Sequence, residues 1–211
     1  MKISRLLEII DSPTREINLN RKYSGETSAR KPKEIGSGIY SSVYDNPADP
    51  HTVKKTQSYA SSDPFLEYVE LIIKHKLWEN PHFPRIYGTK YFNFKGGLRR
   101  GQWKIERLHK IHTLNLEESK GLVERYFGVE TESKYTLIRL LGDLENKKTI
   151  ENIKDETFKQ AAIKIHSLID DLPRVSFDST VPRAGLDLHG DNFMIRRTSV
   201  GPQVVFMDPF A

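Results

Sequence analysis

The chain has 211 residues, 37% hydrophobic and 29% charged, with a formal net charge of +5 and no cysteine. That length and composition allow one large domain or two small lobes with a real core, while the missing thiols exclude disulfide frameworks, thiolate metal sites and thiol catalysis and suit a reducing cytosol. No apolar run approaches the roughly 20 residues of a membrane span, and Met1-Lys2-Ile3-Ser4-Arg5 leads into no signal-peptide core, so a soluble, unprocessed protein without membrane contact is expected.

Ile3, Leu6, Leu7 and Ile10 recur at helical spacing, and Asp11-Ser12-Pro13 stops that helix. Residues 14 to 32 are polar and basic and predict an extended connector, so the folded core should start near Lys33. The basic clusters, Arg30-Lys31-Pro32-Lys33 and Arg99-Arg100 to Lys104, read as solvated faces. With no zinc-finger or RNP-type signature, no direct nucleic-acid binding is expected.

Glu34-Ile35-Gly36-Ser37-Gly38-Ile39-Tyr40-Ser41-Ser42-Val43-Tyr44 predicts two strands around a glycine turn whose main-chain N–H groups can approach an anion closely. Thr52-Val53-Lys54-Lys55 follows as a third strand. Because side chains alternate, only one lysine can face a cleft, and Lys54 is assigned there, with Val53 in the apolar position before it. Asp63-Pro64-Phe65 starts a helix in which Glu70 shares a face with Leu66, Ile73 and Leu77. A carboxylate there needs a cation, with Lys54 the candidate and Glu67 the competing acid. After the connector Asn80-Pro81-His82-Phe83-Pro84, two strands flank Lys95-Gly96-Gly97 and end at Glu106-Arg107-Leu108. The pattern then turns helical over Leu116 to Tyr126, Tyr135 to Leu144, and Asp155 to Leu172. His166, within the last of these, is assigned a packing role.

Asp187 and Asn192 lie in Leu186-Asp187-Leu188-His189-Gly190-Asp191-Asn192-Phe193-Met194. Phe193 to Arg197 and Val204 to Met207 read as a hairpin around a turn containing Gly201-Pro202, which would return Asp208 beside Asn192. A carboxylate that can accept a hydroxyl proton, an amide five residues later and a second carboxylate are the spacing of a phosphotransfer site.

The ordered set Gly36/Gly38, Lys54, Glu70, Asp187, Asn192 and Asp208 resembles the protein-kinase superfamily. Its Gly-x-Gly-x-x-Ser, Asp-x-His-x-x-Asn and Asp-Pro wording is closest to the early serine/threonine kinases of short-tailed bacteriophages. The resemblance runs from about residue 33 to the end and is strongest over 185 to 209. It implies an α+β, bilobal fold: an N-terminal helix and connector over 1–32, a β-rich lobe over 33–105 and a reduced helical lobe over 106–211. It further implies ATP and Mg2+ as cofactors, with host proteins as phosphoacceptors, transcription or defence components among them, in a bacterial cytoplasm. Asp187 would be the base, and Asn192 and Asp208 the metal ligands. Lys54, paired with Glu70, would hold the phosphates. Gly36, Ser37, Gly38, Ser41 and Ser42 would cover them, Val43 would lie over the adenine, and Glu106 and Leu108 would bind it at the hinge. His189 stands where many kinases have lysine and would contact the transferred phosphate or orient the loop.

The sequence also departs from the family. Ser41 replaces the third glycine, the His-Arg before the catalytic aspartate is missing, and Ala211 follows Asp208 by three residues, leaving no activation segment. Either a minimal core or a truncated chain is expected, with Asp208 needing its strand to hold it in place. Asp187-x-His189-Gly190 also resembles a metallophosphatase motif, but the required downstream motifs are absent. The runners-up are a small-molecule, aminoglycoside-type phosphotransferase and an inactive kinase-like protein that binds a host factor. In the former, a base at Asp191 would need asparagine where Arg196 stands.

Overall fold

The computed structural model describes residues 32–37, 41–57, 64–93, 99–172 and 185–210. The helix expected over Ile3 to Ile10, the connector up to residue 31, Gly38 and the Lys95-Gly96-Gly97 turn lie outside the described residues. Pro32–Ala211 forms one compact unit.

Short alternating segments separated by turns give a five-stranded antiparallel sheet: β1 (Glu34–Ser37), β2 (Ser41–Asp45), β3 (Thr52–Gln57), β4 (Ile86–Asn93) and β5 (Arg99–Glu106). Their spatial order is β1-β2-β3-β5-β4. Between β3 and β4 runs α1 (Pro64–Lys74), whose proline occupies the first helical position, where no intrahelical N–H is needed. Its buried Phe65, Tyr68, Val69 and Ile72 recur at helical spacing and cover one face of the sheet. Phe65 meets Trp103 of β5 edge-on, with ring centroids 5.0 Å apart. Each such buried side chain contributes about 1.5–3 kcal/mol relative to exposure.

Helices dominate the second half: α2 (Leu116–Phe127), α3 (Tyr135–Gly142), α4 (Lys147–Glu151) and α5 (Glu156–Leu168). A capping box between Asn115 and Glu118 starts α2, and Gly128 at φ 65° ends it. The helix expected through Leu144 stops at Gly142, with Leu144 in a 3-10 turn. The one expected through Leu172 stops at Leu168. The short α4, capped by Asn146, has no periodicity long enough to announce it.

A three-stranded sheet completes the unit, formed by β6 (His109–Lys110), β7 (Phe193–Thr198) and β8 (Gly201–Phe206) in that order. The β7–β8 turn falls on Ser199-Val200, not on Gly201-Pro202: Gly201 pairs with Thr198 and Pro202 with Arg197. Gly201, at φ 113°, opens the strand, and β8 is an edge strand, where proline's missing N–H costs nothing. The core is continuous from one sheet to the other. Phe158 of α5 stacks on Tyr126 at 4.3 Å and on Phe206 at 5.6 Å, and Phe206 lies 6.4 Å from Phe83. The α+β class is as expected.

Candidate functional site

The loop ahead of β7 is fixed by main-chain bonds to the segment after β8. Asp187 N–H donates to the Pro209 carbonyl at 2.9 Å, and the Asn192 carbonyl accepts from Met207 N–H at 2.9 Å and Asp208 N–H at 3.3 Å. Leu186 bridges to Phe210. Asp208 is therefore held by its neighbours. Asn192 Nδ2 donates to the Asp187 carbonyl at 2.7 Å. That bond fixes the amide's orientation and leaves Oδ1 as its acceptor atom. Gly190 allows α3 to approach: a Cβ there would lie 2.9 Å from Ile138 Cγ2.

His189 reaches back over the same loop. Its Nδ1 accepts from Asp191 N–H at 3.3 Å, and its Nε2 lies 3.4 Å from Asp187 Oδ2. An accepting Nδ1 puts the neutral ring's proton on Nε2, facing the carboxylate. His189 thus faces Asp187 across the loop.

The lysine beside this cluster is Lys55. Its Nζ lies 3.0 Å from Asp208 Oδ2 and 3.4 Å from the Phe65 ring centroid, under α1. Val43, Lys55 and Trp103 are successive register partners across β2, β3 and β5 and share one sheet face, whereas Tyr44, Lys54 and Lys104 line the other. This corrects the expectation for Lys54, and with it the pairing of Glu70 with Lys54, which lies on the face away from α1. In a strand, the residue before a lysine points the opposite way; the apolar residue sharing its face is two positions back, and Val53 is two before Lys55. Glu70 and Glu67 are both half-buried on α1.

Gly36 pairs with Val43 and Ser37 with Ser42, while Ser41 pairs with Gln57. β1 is therefore the edge strand, and β2 lies between it and β3, the strand that carries Lys55. Val43 lies on the same face as Lys55. At the far end of β5, Glu106 N–H donates to the Arg85 carbonyl at 3.1 Å, and Arg107 N–H to the His51 carbonyl at 2.7 Å. The Glu106 side chain turns inward and pairs with Arg196. Leu108 follows, half-buried.

One further residue, Tyr68, secures the cluster. The Tyr68 hydroxyl donates to the Phe206 carbonyl at 2.7 Å, two residues before Asp208. Burial, with the nearby Asp208 charge adding to it, holds this phenol well above its usual range and hence protonated. His166 bonds the Leu144 carbonyl at 2.7 Å, a contact within the helical half.

Asp208 and Asn192 Oδ1 are hard oxygen donors of the kind magnesium takes, and magnesium commonly uses one or two protein ligands together with phosphates. Among the described residues no group of three histidine, cysteine or acidic side chains could hold a metal by itself. Beside the loop, Ile111, His112, Leu114, Lys134, Tyr135, Leu137 and Ile138 line a cavity of about 250 Å³. His112 Nε2 lies 3.6 Å from Asp191 Oδ1. Among the described residues no helix is long and apolar enough to cross a membrane.

No protein-family model and no curated protein matches the chain. Among solved structures, the GDP and kanamycin complex of APH(2")-IIia is similar over 87% of this chain and 69% of its own, at 12% identity and a TM-score of 0.40. The streptomycin-ATP-APH(2")-IIa ternary complex is similar over 82% and 64%, at 11% identity and a TM-score of 0.28. Neither likeness is close enough to bear on function.

Proposed function

We propose that this chain is an ATP-dependent phosphotransferase of the protein-kinase-like type, acting on serine or threonine hydroxyls of proteins. The observation that carries the reading is the convergence of Lys55 and Asp208 with Asp187 and Asn192. A cation, two carboxylates and an oriented amide come together within a few hydrogen bonds of one another.

Asp187 would take the proton of the acceptor hydroxyl as its oxygen bonds to the γ-phosphorus. The bond from that phosphorus to the bridging oxygen would break, and ADP would leave. Asn192 Oδ1 and Asp208 would hold magnesium, which when bound draws charge from the phosphate oxygens. Lys55 would offer its ammonium to the phosphates, and the β1–β2 main chain would close over them. Val43 would pack on the adenine, with the Glu106 carbonyl and Leu108 N–H facing its edge. Catalysis on this scheme is positioning and electrostatic stabilisation, with no covalent intermediate.

The cavity beside the loop supports a protein acceptor over an aminoglycoside. Its lining mixes apolar side chains with His112, Lys134 and Tyr135 and includes no acidic residue, which disfavours a polycationic aminoglycoside. Incubation with γ-labelled ATP, magnesium and bacterial lysate should label proteins, and Asp187→Ala should lower labelling at least about 100-fold. Equal labelling by the variant would remove Asp187 from the mechanism. Transfer to kanamycin but not to protein would move the acceptor to small molecules. No transfer to either, with unaltered partner binding by Asp187→Ala, would favour an inactive kinase-like binder.

A further inference from the structure

Arg196 is the most heavily committed charged group in the described structure outside the proposed reaction centre. It sits mid-strand in β7, and its side chain and that of Glu106 are 9% and 8% exposed. Guanidinium has five N–H donors in a rigid fork, and all five are used. Nε donates to Glu106 Oε2 at 2.8 Å, and Nη2 donates to Glu106 Oε1 and to the Phe83 carbonyl. Nη1 donates to the Pro81 carbonyl and to Gln203 Oε1. Glu106 Oε1 also accepts from Arg85 N–H at 2.8 Å.

The chain positions of these groups give the cluster its meaning. Glu106 ends β5, where the main chain would meet the adenine; Arg196 lies in β7, which starts immediately after Asn192 and pairs with β8, which ends two residues before Asp208. The segment 81–85 is the last part of the link from α1 to β4 and is bonded into the same cluster. A buried ion pair is weak evidence for stability, since an apolar pair of similar volume often serves as well. What apolar contact cannot reproduce is the fixed bidentate geometry between two elements 90 residues apart.

We infer that the Glu106–Arg196 pair is a positioning latch that sets the distance between the base-binding edge at residues 106–108 and the metal-binding groups Asn192 and Asp208. This rests on the phosphotransfer reading of the same site. A nucleotide spanning both ends feels that distance; adenosine, which reaches only the first, does not.

The test compares adenosine with MgATP by calorimetry. Glu106 carries the main chain assigned to adenine, so the substitutions fall on Arg196: Arg196→Lys keeps the charge while losing the fork, and Arg196→Gln keeps donors toward Glu106 without the fork or the charge. In whichever variant unfolds cooperatively, adenosine affinity should stay within about twofold while MgATP affinity falls about tenfold, the scale of effect expected from misplacing one end of a two-point site. Equal losses for both ligands, or no loss for either, would overturn the latch and leave the phosphotransfer reading standing. Wild-type protein that binds neither ligand would overturn the phosphotransfer reading, and the latch with it.

Discussion

Lys55 is buried because its strand neighbours at positions two away, Val53 and Gln57, face α1 as well. Its Nζ is partnered in that buried position by the Asp208 carboxylate and the Phe65 ring. Lys55→Met should therefore reduce phosphotransfer at least about 100-fold, as loss of a charge-stabilising group does. Lys54→Met, on the opposite face, should change it by less than about threefold. Steady-state rates for the two purified variants decide between the neighbours. Asp187, Asn192 and Asp208 are legible in the sequence because their grouping depends on local spacing and one hairpin. The adjacent Val53 does not tell which lysine faces α1, because neighbouring strand residues point to opposite faces. Arg196 gave no signal, since its partner lies 90 residues away.

His82 belongs to the same scale. It is 2% exposed, its Nδ1 donates to the Val204 carbonyl at 2.7 Å, and burial, partly opposed by that bond, lowers its pKa from 6.5 to about 4. Above pH 6.5 the ring is neutral in the folded and unfolded chain alike, and stability is complete. As pH falls from 6.5 toward 4, the unfolded chain takes up a proton that the folded chain refuses, so stability declines. The total loss is about 3 kcal/mol. Urea unfolding between pH 7 and pH 4.5 should show this decline, and His82→Asn, which keeps a donor near Val204, should flatten it.

At the scale of elements, the loop before β7 is positioned by α3 as much as by its own sequence. Ile138 is β-branched and stiff, so the methyl group 2.9 Å from a Cβ at Gly190 cannot swing aside cheaply. Gly190→Ala should displace the loop and lower kcat about tenfold or more. Gly190→Ala/Ile138→Ala, with the obstructing methyl removed, should recover most of it; failure to recover would show that the glycine serves the backbone instead. The strands and long helices were legible from periodicity and caps. The turn at Ser199-Val200 is not, because the glycine and proline lie two positions farther along, in an edge strand that tolerates proline.

At the scale of the molecule, the β-rich and helical halves share one core. Phe158 touches Tyr126, Phe127, His82 and Phe206, so it joins α2, the 80–85 segment and the hairpin that carries the proposed metal ligands. Phe158→Ala should cost about 3–5 kcal/mol, and urea unfolding followed by tryptophan fluorescence and by circular dichroism should give one coincident transition. Separate transitions for the fluorescence of Trp78 and Trp103, both in the first half of the chain, and for helical signal would mean that the halves unfold independently. An α+β chain with a strand-rich first half was visible in the order of patterns. The continuity of its core was not, because aromatic residues spread from Phe65 to Phe206 meet only in three dimensions.

The carbonyl of Asn192 holds the N–H groups of both Met207 and Asp208, which closes the β7–β8 hairpin at its base. The spacing between the two proposed metal ligands is thereby decided at one peptide unit and owes nothing to how far the strands extend. The tip at Ser199-Val200, where Val200 is 86% exposed, can lengthen, shorten or carry an inserted segment while the base keeps its dimensions. For an engineer this hairpin is a handle whose grip is independent of its length, and a fluorophore or affinity peptide inserted there would report on the site without entering it.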